Sequence, residues 1–185
     1  MTDGDDRQLR EVTIESNEVF SGKLLHLRVD DVELPDGTRS KREIVVHRGA
    51  VAAVALNNAS EVLLVRQWRH PAGEALLEIP AGTCEEGEEA EETLRRELAE
   101  EISCRADRIE HLADLYVAPG YSTELIRLYL ATELASACGE ADADENIEIV
   151  TLPLEEALEM CRDGRLRDGK TVSGLLLAAQ RLGVQ

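Results

Sequence analysis

Gly82-Thr83-Cys84-Glu85-Glu86-Gly87-Glu88-Glu89-Ala90-Glu91-Glu92-Thr93-Leu94-Arg95-Arg96-Glu97-Leu98-Ala99-Glu100-Glu101-Ile102-Ser103-Cys104 is the stretch on which the reading of this chain turns. From Glu88 to Ile102 it holds neither Pro nor Gly and is rich in Glu, Ala, Leu and Arg, all good helix formers. Ala90, Leu94, Leu98 and Ile102 recur every four residues, which predicts a helix over 88–102 with that stripe buried. The glutamates of its first turns suit the positive end of the helix dipole. Glu97, Glu100 and Glu101 stand at i, i+3 and i+4 and share a face, away from the apolar stripe. Carboxylates so close repel one another by roughly a few tenths of a kcal/mol per solvated pair. A divalent cation among them would relieve the repulsion, and Mg²⁺ selects oxygen ligands of this kind. Arg96, four residues before Glu100, is placed to hold one carboxylate. On spacing alone, a solvated Glu-rich helix remains the simpler explanation.

Outward from this helix the chain reads as short strands. Residues Glu11 to His47 alternate apolar and polar side chains, with Leu34-Pro35-Asp36-Gly37-Thr38 as a hairpin turn and Arg42 to His47 as the returning strand. Val51 to Leu56 and Val62 to Val65 are continuous apolar runs around an Asn57-Asn58-Ala59-Ser60 turn, the pattern of core strands. Ala75 to Gly82 reads as a strand that ends at a Pro and a Gly. After the helix come strands at about 112–117, 126–131 and 147–152, then helices over 154–161 and 171–182. Strands, helix, strands, helices is the order of an α+β layered domain, not of a regular βαβ repeat. No G-x-G-x-x-G opens a helix, so a Rossmann dinucleotide site is not indicated.

Bulk composition narrows the function. A chain of 185 residues with 43% apolar residues can bury a real core, yet only 3% are aromatic, so aliphatic side chains and Ala must build it. The formal net charge is −18, which argues against binding nucleic acid by phosphate neutralisation. Surface acid favours solubility, and an anionic substrate would need a local cation as mediator. No apolar run is long enough for a transmembrane helix. The polar, acidic first ten residues lack a signal-peptide core, so a cytoplasmic location without a membrane partner is expected. Cys84, Cys104, Cys138 and Cys161 form no C-x-x-C pair, and the histidines show no metal spacing; free thiols are expected rather than zinc.

The full register of the opening stretch says more than its glutamates do. Gly82, five residues, Glu88, seven residues, then Arg96-Glu97-Leu98-Ala99-Glu100-Glu101 resembles the Nudix signature G-x5-E-x7-R-E-U-x-E-E-x-G-U, where U is a bulky aliphatic. Chance agreement at all these positions is very improbable even in an acidic chain. The signature's last Gly is replaced by Ser103, and Cys104 fills the final aliphatic place. Either Ser103 takes positive φ at a cost of about 1 kcal/mol or the helix ends differently. Val65-Arg66-Gln67-Trp68-Arg69, Glu78-Ile79-Pro80-Ala81-Gly82, Pro119-Gly120, Ser122-Thr123-Glu124, Asp144-Glu145-Asn146-Ile147-Glu148 and Gly164 to Thr171 extend the likeness over roughly residues 20–183. Together they resemble the ADP-ribose pyrophosphatase branch, with features shared by GDP-mannose and other nucleotide-sugar hydrolases.

The resemblance implies a Nudix-type α/β/α sandwich with a mixed sheet and N-terminal antiparallel strands. Residues 1–47 would be the N-terminal strands, for dimerisation and the nucleoside side, and 48–185 the catalytic domain. The implied reaction is hydrolysis of the diphosphate bond of a nucleoside diphosphate sugar to a nucleoside monophosphate and a sugar phosphate. Mg²⁺ is the implied cofactor, with Mn²⁺ as a substitute. Its ligands would be Glu97 and Glu101, with Glu100 and the Ala81 carbonyl as further ligands. Arg96 would orient the carboxylates, while Gly82 and Glu88 would support the loop. Glu145 is the first choice for general base and Glu148 the second. Arg69, Arg66, Pro119 and Gly120 would lie on the substrate side. A homodimer is implied, since the extra strands of this branch exchange between subunits. The rival reading is a non-catalytic sensor of nucleotide sugars, but retention of Glu97, Glu100 and Glu101 favours the enzyme.

Overall fold

A computed structural model describes residues 6–137, 139 and 146–184. Contacts divide the chain into two units: one runs to His47 and includes Ala118–Glu124, the other holds Arg48–Val117 and the residues from Leu125 onward.

In the first unit a 3-10 turn, Asp6–Gln8, precedes β1 (Val12–Ser21), β2 (His26–Glu33) and β3 (Arg39–Val46), an antiparallel sheet in that order. The expected hairpin turn joins β2 to β3. Gly37 takes φ +83° there, and the Leu34 amide donates to the Thr38 carbonyl at 2.8 Å. The hydroxyl and amide of Thr38 both donate to Asp36, which holds that carboxyl below its usual range. Asp30 is buried and accepts from the Ser16 hydroxyl at 2.6 Å. Segment Ala118–Glu124 docks on β3, with the Val45 amide donating to Tyr121 O at 2.7 Å. Every residue of β1 is exposed. Its apolar–polar alternation predicts one covered face, but no second layer covers it among the described residues.

The second unit is built on a mixed sheet. Its strands are β4 (Ala50–Leu56), β5 (Glu61–Arg69), β6 (Glu74–Glu78), β7 (Ala81–Thr83), β8 (Cys104–Tyr116), β9 (Leu125–Ser136) and β10 (Ile147–Pro153). The order is β10-β5-β4-β9-β8, with β6 on β5 and β7 on β4. β4 and β9 pair in parallel, and the other pairs are antiparallel. The helices are α1 (Ala90–Ile102), α2 (Leu154–Arg162) and α3 (Gly169–Leu182).

β4 shows why this is a sandwich. All of its residues are buried, which is the reason it reads as a continuous apolar run rather than an alternating one. Ala50, Ala52, Val54 and Leu56 pack with Leu154, Leu158 and Leu175 of α2 and α3. Val51, Ala53 and Ala55 pack with Leu94, Leu98 and Ile102 of α1 on the opposite face. Small residues substitute for missing aromatics by closing the layers together. Gly174 of α3 approaches so near that a Cβ there would sit 3.0 Å from Ile79 Cδ1.

Three boundaries differ from the sequence reading, each for a physical reason. α1 begins at Ala90, because Glu89 is extended and the Glu88 carboxylate is engaged by Thr93 and Arg96. The strand expected over 75–82 breaks at Ile79-Pro80. Pro lacks the N–H that a ladder needs, and the chain leaves β5 to pair Gly82 with Val51 of β4. β8 and β9 run well beyond 112–117 and 126–131, because charged side chains over Arg105–Glu110 of β8 and short or polar ones over Thr132–Ser136 of β9 mask the strand pattern. The end of α1 follows the first of the two alternatives: Ser103 itself takes the left-handed conformation, φ 52°, and its amide bonds Leu98 O.

Candidate active site

The break at Pro80 turns β7 toward α1 and thereby assembles the site. Pro80 O accepts from the Ala53 amide at 3.0 Å, and the Ala81 amide donates to Glu101 Oε2 at 2.9 Å. Gly82 then lies directly against Glu97: a Cβ at position 82 would sit 1.9 Å from Glu97 Oε1. The requirement for glycine here is close approach to a carboxylate, not an unusual φ.

Glu101 departs from the expected arrangement. It is 6% exposed and sits among the buried residues of α1 rather than on an open acidic face. Its contact with the Ala81 amide satisfies a carboxylate that burial would otherwise penalise. Glu97 and Glu100 keep 13% and 25% of their side-chain surface. Arg96 was expected to hold one carboxylate and holds three. Its Nη1 donates to Glu97 Oε1 at 2.8 Å and to Glu100 Oε2 at 2.9 Å, while Nε and Nη2 each reach Glu88 at 3.4 Å. Burial works to lower the Arg96 pKa, but Glu88, Glu97 and Glu100 together drive it upward. Arg96 and the Thr93 hydroxyl in turn hold the Glu88 carboxyl below its ordinary value.

Glu97 and Glu100 thus turn to Arg96, and Glu101 to the Ala81 amide. Among the described residues no three acidic, His or Cys side chains converge on one point as they stand. The donor set nevertheless suits a hard divalent cation: carboxylate oxygens within about one helical turn. One of them, on Glu97, is seated in the notch that a Cβ at Gly82 would fill.

The other expected site residues are dispersed. Arg69 pairs in fork geometry with Glu78, Nε to Oε1 and Nη2 to Oε2 both at 2.7 Å. Arg66 meets Glu148 across β5 and β10 at 3.0 Å in an exposed pair. Pro119 and Gly120 belong to the first unit. Glu145 lies outside the described residues. Beside the loop before α1 a cleft of about 200 Å³ is lined by Arg48, Cys84, Glu85, Glu88 and Arg127. Of that cleft the sequence reading had named Glu88 but assigned no role to Arg48, Glu85 or Arg127, and it assigned none to Glu78, an acid inside the apolar run Ala75–Ile79.

The chain resembles known proteins in sequence and in fold. The NUDIX domain profile matches residues 46–174, and the nucleoside diphosphate sugar hydrolase N-terminal domain profile matches residues 11–45. A methanol dehydrogenase activator of Bacillus methanolicus is 42% identical over 177 residues, 95% of this chain and 94% of its own. An ADP-ribose pyrophosphatase of Bacillus subtilis (strain 168) is 41% identical over 167 residues, 89% and 90% of the two chains. A GDP-mannose pyrophosphatase of Escherichia coli O1:K1 / APEC is 36% identical over 180 residues, 88% and 92%. A crystal structure described as an ADP compounds hydrolase superposes with a TM-score of 0.84 over 95% of this chain and 96% of its own. At 24% identity that likeness shows the shared fold.

Proposed function

The chain belongs to the Nudix family of hydrolases, and on that premise we propose that it splits the diphosphate bond of ADP-ribose or a related nucleoside diphosphate sugar. The products are a nucleoside monophosphate and a sugar phosphate. The observation that carries the reading is the seating of Glu97 against Gly82, with Arg96 gathering Glu88, Glu97 and Glu100 beside it. A cation-assisted hydrolysis uses carboxylates gathered in this way.

The cofactor we assign is Mg²⁺, held by Glu97, Glu100, Glu101 and the Ala81 carbonyl. When bound it neutralises phosphate charge and makes a water more acidic. Arg96 keeps Glu97 and Glu100 pointing to the same side of α1. Glu101, fixed by the Ala81 amide, couples the helix to β7. Glu145 accepts the proton of the attacking water; Glu148, the second choice, is already paired with Arg66. Arg69, Arg66, Pro119 and Gly120 are the residues we assign to substrate binding, Arg69 toward a terminal phosphate or the base. With Nε and Nη2 of Arg69 engaged by Glu78, its phosphate contact falls to Nη1.

A panel of ADP-ribose, GDP-mannose, NADH, ADP-glucose and diadenosine polyphosphates, each with Mg²⁺ and with Mn²⁺, tests the proposal by release of monophosphate. ADP-ribose is expected to lead. A GDP-mannose preference is the second outcome, favoured by the relative that bears that name. Glu97→Gln is expected to lower turnover by roughly 10²–10³, the scale of losing one charge-stabilising group, with the fold intact. Glu145→Gln should do likewise, and an unchanged rate would move the base elsewhere. Hydrolysis of no compound would overturn the enzyme in favour of a nucleotide-sugar sensor.

A further inference from the structure

A second, buried charge cluster is centred on Glu78, and it shares only Arg69 with the residues assigned to the substrate. Glu78, at the end of β6, is 1% exposed. An ionised carboxylate in that position needs compensating charge, and it has two sources. Arg69 grips both oxygens, and Lys170 of α3 bonds Oε2. Lys170, itself with 12% of its side chain exposed, also reaches Asp168 at 3.0 Å. Asp168 is the N-cap of α3 and accepts from the Thr171 amide at 3.0 Å. The fully buried Thr171 then accepts from the Ile79 amide at 2.9 Å, while its hydroxyl donates to Asp168.

The cluster therefore holds the chain at Glu78 and Ile79, just ahead of the residues that shape the site. Pro80 O is tied to Ala53, the Ala81 amide to Glu101, and Gly82 touches Glu97. Each residue from Glu78 to Gly82 thus has an anchor, and two of the five anchors are supplied by the first turn of α3. A strand interrupted by Pro has lost its regular ladder and needs such substitutes to fix its path. Slack at Glu78 would pass to Ala81 and Gly82, where Glu97 leaves no spare room.

We infer that Lys170, with Asp168 and Thr171, is a positioning residue of the cation site: it sets the register of Ile79–Gly82 against Glu97 and Glu101. This rests on the hydrolase reading given above and adds to it a set of residues remote from the carboxylates in sequence. Outer groups that orient ligands typically change metal affinity or activity by about 10–100-fold when removed.

Mn²⁺ alone is the probe, followed by its electron paramagnetic resonance signal as free ion during titration of the full chain. Lys170→Met is expected to weaken Mn²⁺ binding about tenfold and to lower kcat more than it changes KM. Lys170→Arg, which keeps the charge, is expected to recover most of both. Thr171→Val, which removes the acceptor of the Ile79 amide at nearly constant volume, should act in the same direction and carries the test should Lys170→Met not fold. All titrations are run well below each variant's melting midpoint. A lower midpoint with unchanged Mn²⁺ affinity in Lys170→Met or Thr171→Val would overturn the inference and leave the cluster a purely structural clamp, with the hydrolase reading untouched. Failure of the wild-type chain to bind Mn²⁺ would overturn the site reading itself, and the inference with it.

Discussion

Gly82 carries a prediction that its backbone angles would not suggest. Its φ is not positive, and the conflict on adding a Cβ is with the flexible end of Glu97. Gly82→Ala should therefore move that carboxylate rather than unfold the chain. Activity is expected to drop about tenfold or more, as when a ligand's support is altered, with little change in the melting midpoint. A variant with wild-type turnover would refute the packing argument. Ser103 is the opposite case. It occupies a left-handed position that favours glycine, at φ 52°, and its amide donates to Leu98 O. Ser103→Gly should relieve that strain, less what the more flexible unfolded chain takes back, for a net gain of about 0.5–1 kcal/mol. For a chain of this size the midpoint should rise by about 2 °C in calorimetry, with turnover unchanged. The departure from the family signature is in this sense a matter of stability and not of chemistry.

Strand and helix meet at the Glu78 cluster, and its titration is a property of both elements. Burial alone would raise the Glu78 carboxyl, but Arg69 and Lys170 outweigh it and hold the group below its ordinary value of 4.5. A lowered folded-state value means that the pairing stabilises fully above the unfolded value and is lost as pH falls through the folded one. Melting midpoints should thus be level near neutrality and decline below about pH 4.5. Midpoints unchanged from about pH 6 to about pH 3.5 would contradict the ion-paired state of β6 and α3. α1 illustrates the complementary point. Its stripe of Ala90, Leu94, Leu98 and Ile102 is buried as the four-residue period requires, because that period is a property of the helix itself. Glu101 was expected away from that stripe, but the same period sets it against the stripe, and β7 shelters it there.

At the scale of the whole molecule, β1 is the strand left uncovered among the described residues. Val12, Ile14, Val19 and Phe20 are 55%, 46%, 56% and 59% exposed on a strand paired on one side by β2. We propose that a second copy of the chain covers this apolar surface. Light scattering should give a mass near twice 20.4 kDa, and Val12→Lys with Ile14→Lys should return the single-chain mass. A monomeric wild type would refute it. What the sequence determined by itself was the register of the signature, the shared helix of Glu97, Glu100 and Glu101, the α+β order and the core run of β4. Each of these is a local property, written in spacing and periodicity. Only the tertiary structure decided that Gly82 abuts Glu97, that Glu101 is sheltered by the Ala81 amide, that Arg96 binds three glutamates, and that Glu78 is neutralised by Lys170. The last pair lies 92 residues apart in the chain, and no local pattern encodes which distant cation a buried carboxylate will find; that is settled when the sheet and α3 close over it.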